Sequence, residues 1–108
     1  SIRGHGGRNQ QLVLAALARK LADTTAPQQC MQRQFIMSAG TDGEDGPTDA
    51  AGAFINANVV RQFLTSSLNL KSSLQRNDAY TFFDELQALL KTGPTHTNVC
   101  DLRIILSE

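Results

Sequence analysis

Residues 35–55 have the sequence FIMSAGTDGEDGPTDAAGAFI, in which two short apolar runs flank a segment rich in glycine and acidic residues. The runs at residues 35–37 and 53–55 are bounded by polar residues or glycine, which is typical of buried strands. Between them, three glycines and Pro47 within residues 40–49 exclude a regular helix or strand. This stretch therefore predicts two short strands separated by an irregular polar loop.

Helical patterns lie on both sides of these strands. Upstream, residues 9–22 place leucine and alanine on one face at three-to-four spacing, and a polar connection follows Pro27 to about Arg33. Downstream, Asn56 or Asn58 can cap a helix to about Leu68, and residues 70–74 form a short extra turn.

Two further elements complete the order of the chain. Asn77 or Asp78 can cap a helix that runs on pattern alone from Ala79 to Leu90, and Gly93-Pro94 stops it. Residues 102–106 (LRIIL) predict a core strand at the C-terminus. The alternation favours a layered α/β/α domain with a small, mainly parallel or mixed sheet, which a strand upstream of residue 4 would complete.

Composition excludes several classes of protein. The chain has 108 residues and 41% apolar residues, enough for one modest core, and its formal net charge is zero. Neutrality argues against nucleic acid or an anionic membrane as partner, and no apolar run approaches the ~20 residues that a membrane helix needs. Because the chain lacks an initiator Met and opens on a glycine cluster, we expect it to be a piece of a longer polypeptide.

Two cysteines, Cys30 and Cys100, lie far apart and form no CxxC pair, so no zinc ribbon or redox motif is present. They predict reduced thiols in an intracellular protein, cytoplasmic or mitochondrial, and the alternative is one disulfide in a secreted domain.

Three polar segments carry the candidate chemistry. Residues 4–9 (GHGGRN) lead into the first helix, where backbone amides and Arg8 suit an anion, unless the segment is only a flexible terminus. Residues 40–49 hold four acids that suit Mg²⁺ or sugar-like hydroxyls, although their spacing is not that of an EF-hand and a solvated acidic turn is the alternative. Residues 93–101 offer hydroxyl, amide and backbone groups, with His96 either titrating near neutral pH or merely solvated.

Taken together, these segments resemble a specific family. GHGGRNQ at residues 4–10, SAGTDGEDGPTDAAGA at 38–53, NDAYTFF at 77–83, TGPT at 92–95 and TNV at 97–99 followed by DL at 101–102 resemble the C-terminal MOFRL domain of class II glycerate kinases. The resemblance runs in order over nearly the whole chain, so residues 1–108 are expected to be one such domain. It implies that a larger N-terminal kinase domain of the same polypeptide is absent from this chain, and that the active site lies between the two domains.

The resemblance also implies ligands and roles. The reaction would be ATP- and Mg²⁺-dependent phosphorylation of the 2-hydroxyl of D-glycerate, with neither nucleic acid nor membrane as partner. Arg8 would be the catalytic cation, and Asp42 and Asp45 would hold Mg²⁺ or substrate hydroxyls. The remaining residues would bind substrate or phosphate, with Asp101 orienting its loop: Gly6, Gly7, Asn9, Thr95, Thr97, Asn98 and Asp101.

The family pattern departs from this chain at two positions and revises one helix. His96 and Cys100 stand where other residues are more usual, and the helix begun at residue 79 is expected to break near residues 87–88, with a strand at 89–92.

Two other hypotheses remain: a stand-alone module that binds a small anion or nucleotide, and a structural interaction domain. A large exposed apolar patch away from the three polar segments would favour the last.

Overall fold

The computed structural model describes residues 6–95 and 100–107. Four strands form one sheet in the order β3-β2-β1-β4, and each described pairing is antiparallel. The strands are β1 (Gln34–Gly40), β2 (Gly52–Asn56), β3 (Leu89–Leu90) and β4 (Asp101–Ser107). The helices are α1 (Arg8–Ala22), α2 (Ala57–Leu64), α3 (Leu70–Gln75) and α4 (Ala79–Glu85), with a short 3-10 helix at Pro27–Gln29.

The α/β class is confirmed, and the sheet, expected to be mainly parallel or mixed, is antiparallel in each described pairing. Alternating helices and strands do not fix strand direction. The connection from β1 to β2 contains no helix, so it lacks the crossover that parallel neighbours need, and the chain turns straight back. The register pairs Ile36 with Ile55 and Ser38 with Ala53, which places these four side chains on one face.

The described helices pack on that face. Its side chains are buried against α1, α2 and α4, and the resulting core contains Val13, Leu14, Leu17, Val59, Val60, Phe82 and Phe83. The Cα extents are 42 × 39 × 19 Å, and the shortest dimension fits one sheet under one layer of helices about 10 Å across. The expected α/β/α arrangement has a second helical layer, which is not present among residues 6–95 and 100–107.

Most helices and strands lie where the sequence predicts them. One helix ends earlier than its apolar pattern predicts. Asn56 caps α2, because its side chain accepts a hydrogen bond from the amide of Val59 at 2.9 Å. The helix that pattern alone extends to Leu90 ends at Glu85, and Gln87 then adopts a φ of +54°, which separates α4 from β3 as the family pattern implied.

The C-terminal strand is confirmed at β4, but it is wrong to call it a core strand. It lies at the end of the sheet, and Ile105 is exposed. β-branched composition predicts a strand without predicting how deep that strand lies. Cys30 and Cys100 are both free, as predicted, the first buried and the second exposed.

Candidate functional site

A polar cleft of about 370 Å³ lies where the start of α1, the acidic loop after β1 and the start of β4 meet. The first two polar segments therefore come together, joined by Asp101, which is the last residue of the third segment and the first residue of β4. The residues that line the cleft are Gly6, Gly7, Arg8, Asn9, Asp42, Glu44, Asp45, Gly46 and Asp101.

Asp45 binds the N-terminus of α1 from a distant loop. Its Oδ1 accepts from the backbone amide of Asn9 at 3.0 Å and from Asn9 Nδ2 at 3.2 Å, and its Oδ2 accepts from the amide of Gln10 at 2.8 Å. The side chain is almost fully buried. A carboxylate at this position satisfies helix amides that have no partner within the helix, and it complements the helix dipole. Asp45 therefore caps α1 although Gly7, the residue at the N-cap, makes no side-chain cap.

The contact between Asp45 and α1 limits which groups of the glycine segment can bind an anion. The sequence predicted an open anion site at the start of α1, yet an internal carboxylate already takes the amides of Asn9 and Gln10. Gly7 permits that close approach, because a Cβ there would overlap the carboxylate and carbonyl of Asp45. An external anion would have to bind through Arg8 and the preceding glycine backbone rather than through those two amides.

Asn9 connects three elements. Its Nδ2 donates to Asp45 and, at 3.1 Å, to Asp101 Oδ1, while its Oδ1 accepts from Ser38 Oγ at 2.5 Å. Asn9 and Ser38 are both buried. Since the amide and the hydroxyl bridge α1, β1, the acidic loop and β4, Asn9 fixes the relative positions of the segments that form the cleft.

Arg8 is held by Asp101 through two contacts. Arg8 Nε lies 2.8 Å from Asp101 Oδ2, and Arg8 Nη2 donates to Oδ1 at 3.0 Å, while 67% of the Arg8 side chain remains exposed. The hydrogen bond and the charge of Asp101 raise the pKa of Arg8, which stays a cation. Hydrogen bonds from Asn9, and then from Arg8, lower the pKa of Asp101. The guanidinium is therefore held at the edge of the cleft in an ion pair with no net charge, and most of its surface remains exposed to solvent.

Asp42 is more accessible than Asp45. Its Oδ1 accepts from the amide of Glu44 at 3.1 Å in a local turn, and its carbonyl accepts from the amide of Thr95 at 3.0 Å. Within the described ranges, no group of three or more His, Cys, Asp or Glu residues is placed to hold a metal ion. The predicted metal role of Asp42 and Asp45 stays a prediction, and the contacts of Asp45 favour a structural role.

In the third polar segment, Asp101 lines the cleft, whereas Thr95 contacts the acidic loop outside the lining. Thr95 Oγ1 donates to the carbonyl of Thr41 at 2.6 Å, and Thr95 lines a separate groove with Met37, Leu90 and Leu102. Thr97 and Asn98, predicted to line the site, lie outside the described residues.

Asp49 belongs to a different cluster from the other three acids. It accepts from Tyr80 Oη at 2.7 Å and lies 3.5 Å from Lys91 Nζ. These contacts, the tyrosine hydrogen bond first, lower the pKa of Asp49.

Sequence reasoning missed the role of Ser38 and did not predict that Glu44 lines the cleft. Ser38 is a polar residue between Met37 and Ala39 in a mostly apolar run. Because a buried hydroxyl needs a hydrogen-bond partner, this pattern predicts a polar residue packed against the strand at Ser38. Glu44 lies between two glycine-flanked acids, so nothing in the sequence distinguishes it from a solvated residue.

Comparison with known proteins gives consistent matches. The MOFRL family model matches residues 1–101. A glycerate kinase of Rattus norvegicus is 40% identical over 106 residues, covering 95% of this chain and 20% of that protein. A D-glycerate 2-kinase of Thermotoga maritima is 40% identical over 101 residues, covering 94% of this chain and 22% of that protein.

A solved structure shows the same fold. The crystal structure of a glycerate kinase from Thermotoga maritima superposes with a TM-score of 0.82 and 37% identity, covering 100% of this chain and 24% of that one. The chain thus spans about a fifth of the length of the curated relatives that it matches. Among the described residues, no helix is both long and apolar enough to cross a membrane.

Proposed function

The chain belongs to the MOFRL family, and we propose that it is the C-terminal domain of an ATP-dependent glycerate 2-kinase. The reaction would move the γ-phosphoryl group of ATP to the 2-hydroxyl of D-glycerate and give 2-phosphoglycerate and ADP. The domain would supply one wall of the active site, and the N-terminal kinase domain of the same polypeptide would supply the other.

The observation that carries the proposal is the placement of Arg8. Its guanidinium is fixed by Asp101 at 2.8 and 3.0 Å and still faces the cleft with most of its surface exposed. Phosphoryl transfer depends on positioning and on stabilising charge spread over the phosphoryl oxygens. A cation already oriented by a carboxylate loses little freedom when the transition state forms, so its interaction is available where charge develops.

Asp101 and Asn9 would act as positioning residues. Asp101 directs the guanidinium, and Asn9 ties Asp101 to the buried Asp45 and Ser38. The backbone of Gly6 and Gly7 would approach an anionic group at the same edge of the cleft. Roles for Thr95, Thr97 and Asn98 on the facing loop stay predictions from the family resemblance.

Mg²⁺ would arrive with ATP and need few protein ligands, because it keeps water and phosphate oxygens in its coordination shell. Asp42 fits such a ligand, since it lines the cleft and, among the described residues, its Oδ1 accepts one turn amide. Asp45 fits less well, because both of its oxygens accept hydrogen bonds in a buried position. When bound, the ion neutralises charge on the phosphate oxygens.

Substitution of Arg8 in the full-length polypeptide tests the proposal. Arg8→Lys keeps a positive charge but loses the planar fork that Asp101 holds, so we expect turnover with D-glycerate and ATP to fall at least about tenfold. Arg19→Lys is the matched control, because Arg19 is highly exposed and forms its ion pair with Asp23, one helical turn away. Near wild-type kinetics for Arg8→Lys would remove Arg8 from the catalytic machinery.

The 108-residue chain alone distinguishes a half-site from a complete binding module. We expect no glycerate kinase turnover from the purified chain, because the other wall of the site is missing, and turnover would contradict this. A stand-alone module that binds anions or nucleotides would shift the amides of residues 6–9 and 42–45 at sub-millimolar ATP–Mg²⁺ or D-glycerate. The capping of α1 by Asp45 argues against such a module.

A further inference from the structure

Three polar side chains, Asp49, Tyr80 and Lys91, form a cluster outside the lining of the cleft, which we call the Asp49 cluster. Tyr80 Oη in α4 donates to Asp49 Oδ1 at 2.7 Å. Lys91 Nζ lies 3.5 Å from Asp49 Oδ2 and 5.6 Å from the centre of the Tyr80 ring. The end of the acidic loop, α4 and the residue after β3 therefore meet at one carboxylate.

The geometry of the Asp49 cluster suits orientation better than stabilisation. The side chains of Asp49 and Lys91 are both exposed, and solvent and salt screen an ion pair of that kind. The tyrosine bond differs, because a hydroxyl that donates to a carboxylate forms a short, charge-assisted bond and the ring has only two side-chain torsions to restrict. Tyr80 therefore fixes where Asp49 lies more than it adds to the free energy of unfolding.

Residues 91–95 contact the acidic loop near both of its ends. Near the start of the loop, the amide of Thr95 donates to the carbonyl of Asp42 at 3.0 Å. At the end of the loop, Lys91 pairs with Asp49. The spacing between the two polar segments is thus set at two points, and the Asp49 cluster connects the second of them to α4.

A short path leads from Asp49 to the groups of the cleft. The preceding residue, Thr48, donates through its hydroxyl to the carbonyl of Asp45 at 2.8 Å and accepts from Gln10 Nε2 at 2.9 Å. Asp45 in turn caps α1, whose first residue is Arg8. A displacement of Asp49 is therefore passed through one turn of chain to the cap of α1 and to the start of the helix that carries Arg8.

We propose that Tyr80 and Lys91 are positioning residues, which hold Asp49 and thereby keep the acidic loop and Arg8 in the arrangement that phosphoryl transfer requires. The inference rests on the proposed function, because it assigns these two residues a part in that reaction. They act through Asp49 and not by contact with the substrate.

Removal of one hydroxyl in the full-length polypeptide tests the proposal by kinetics. A looser loop spends less time in the reactive arrangement, so we expect Tyr80→Phe to lower kcat at least about threefold and to change KM for D-glycerate and ATP less than about twofold. The melting temperature should stay within about 2 °C of wild type, so that the folded fraction at the assay temperature is unchanged. Thr81→Ala, at the next and exposed position of α4, is the matched control. A smaller fall in kcat for Tyr80→Phe would overturn the proposal.

Two further comparisons separate positioning from a general loss of structure. Lys91→Arg keeps the cation and should retain more than about half of kcat, whereas Lys91→Met should lose at least about threefold, and equal kcat values would overturn the role of Lys91. Tyr80→Phe combined with Asp49→Asn should be about as slow as the slower single variant, because both remove one contact. Effects that multiply would show that Tyr80 does not act through Asp49.

Hydrogen exchange on the same proteins gives a readout that needs no substrate. The amides of Asn9 and Gln10 donate to Asp45, and in Tyr80→Phe they should exchange at least about threefold faster than in Thr81→Ala. The amide of Val59, which donates to Asn56 in the cap of α2, is the internal control and should not change. Unchanged exchange at Asn9 and Gln10 would overturn the path from Asp49 to α1.

The combined results keep the two proposals distinct. A wild-type enzyme that phosphorylates D-glycerate, with kcat and exchange unaffected by Tyr80→Phe, would contradict only the positioning role. Faster exchange at the start of α1 in a protein whose wild type lacks glycerate kinase activity would contradict only the proposed function.

Discussion

Replacing Asp45 with alanine removes the acceptor for the first-turn amides of α1. In the folded chain the amides of Asn9 and Gln10 donate to Asp45 at 3.0 and 2.8 Å, and the region around them is buried. Asn9 Nδ2 keeps a second acceptor in Asp101 at 3.1 Å, so two backbone donors lose their partner.

The expected cost follows from those two donors. A buried donor left without a partner costs about 1–3 kcal/mol, which gives about 2–6 kcal/mol for the pair. Asp45 borders the cleft, so water can enter the space left by the carboxylate and partly replace the lost bonds. We therefore expect Asp45→Ala to lower the free energy of unfolding by about 3 kcal/mol.

Urea unfolding followed by circular dichroism measures this loss. With a slope of about 1–3 kcal/mol per molar urea, the midpoint should fall by about 1–3 M. Asp42→Asn is the matched control in the same loop, because the asparagine oxygen can still accept from Glu44, and it should change stability by less than about 0.5 kcal/mol. An Asp45→Ala variant as stable as the control would refute the assignment of Asp45 as the cap of α1.

Two other predictions concern the pH dependence of the cleft and the turn opposite the third polar segment. Because Asn9 and then Arg8 lower the pKa of Asp101, ionised Asp101 stabilises the domain above its ordinary pKa, and this contribution is lost as the pH falls through the lowered value. NMR titration should show the pKa of Asp101 rising more in Asn9→Ala than in Arg8→Lys, and the reverse order would contradict the assigned contacts. Gly43→Ala should destabilise the chain more than Gly93→Ala in thermal unfolding. Both glycines have positive φ, +84° and +73°, but only at Gly43 would a Cβ overlap a neighbour, the carbonyl of Gly93, and equal losses would contradict that packing.

The sequence predicts local elements of this fold better than their arrangement. α1 and the first two strands follow from periodicity and from glycine and proline, which act within a few residues. Strand direction and the exposure of β4 depend on which element lies next to which, and short apolar runs do not encode that. The break at Gln87 was predicted only through the family pattern, because the apolar residues on either side continue a helical face.

For the candidate site, too, the sequence predicts individual residues but not the contacts between them. Arg8 and Asp101 were both predicted, but their contact joins residues 93 positions apart and is visible only in the fold. Asp45 illustrates the difficulty most clearly, since an acid in a glycine-rich turn has the same sequence signal whether it binds a metal or caps a helix. Its 36-residue separation from Asn9 hides the helix that it caps.

We propose that this domain belongs to an enzyme that phosphorylates the 2-hydroxyl of D-glycerate. The most direct test is ³¹P NMR of the product formed by the full-length polypeptide from D-glycerate and ATP with Mg²⁺. We predict the phosphate of 2-phosphoglycerate, identified by its coupling to the proton on C2. Formation of 3-phosphoglycerate, or no phosphorylated glycerate at all, would contradict the claim.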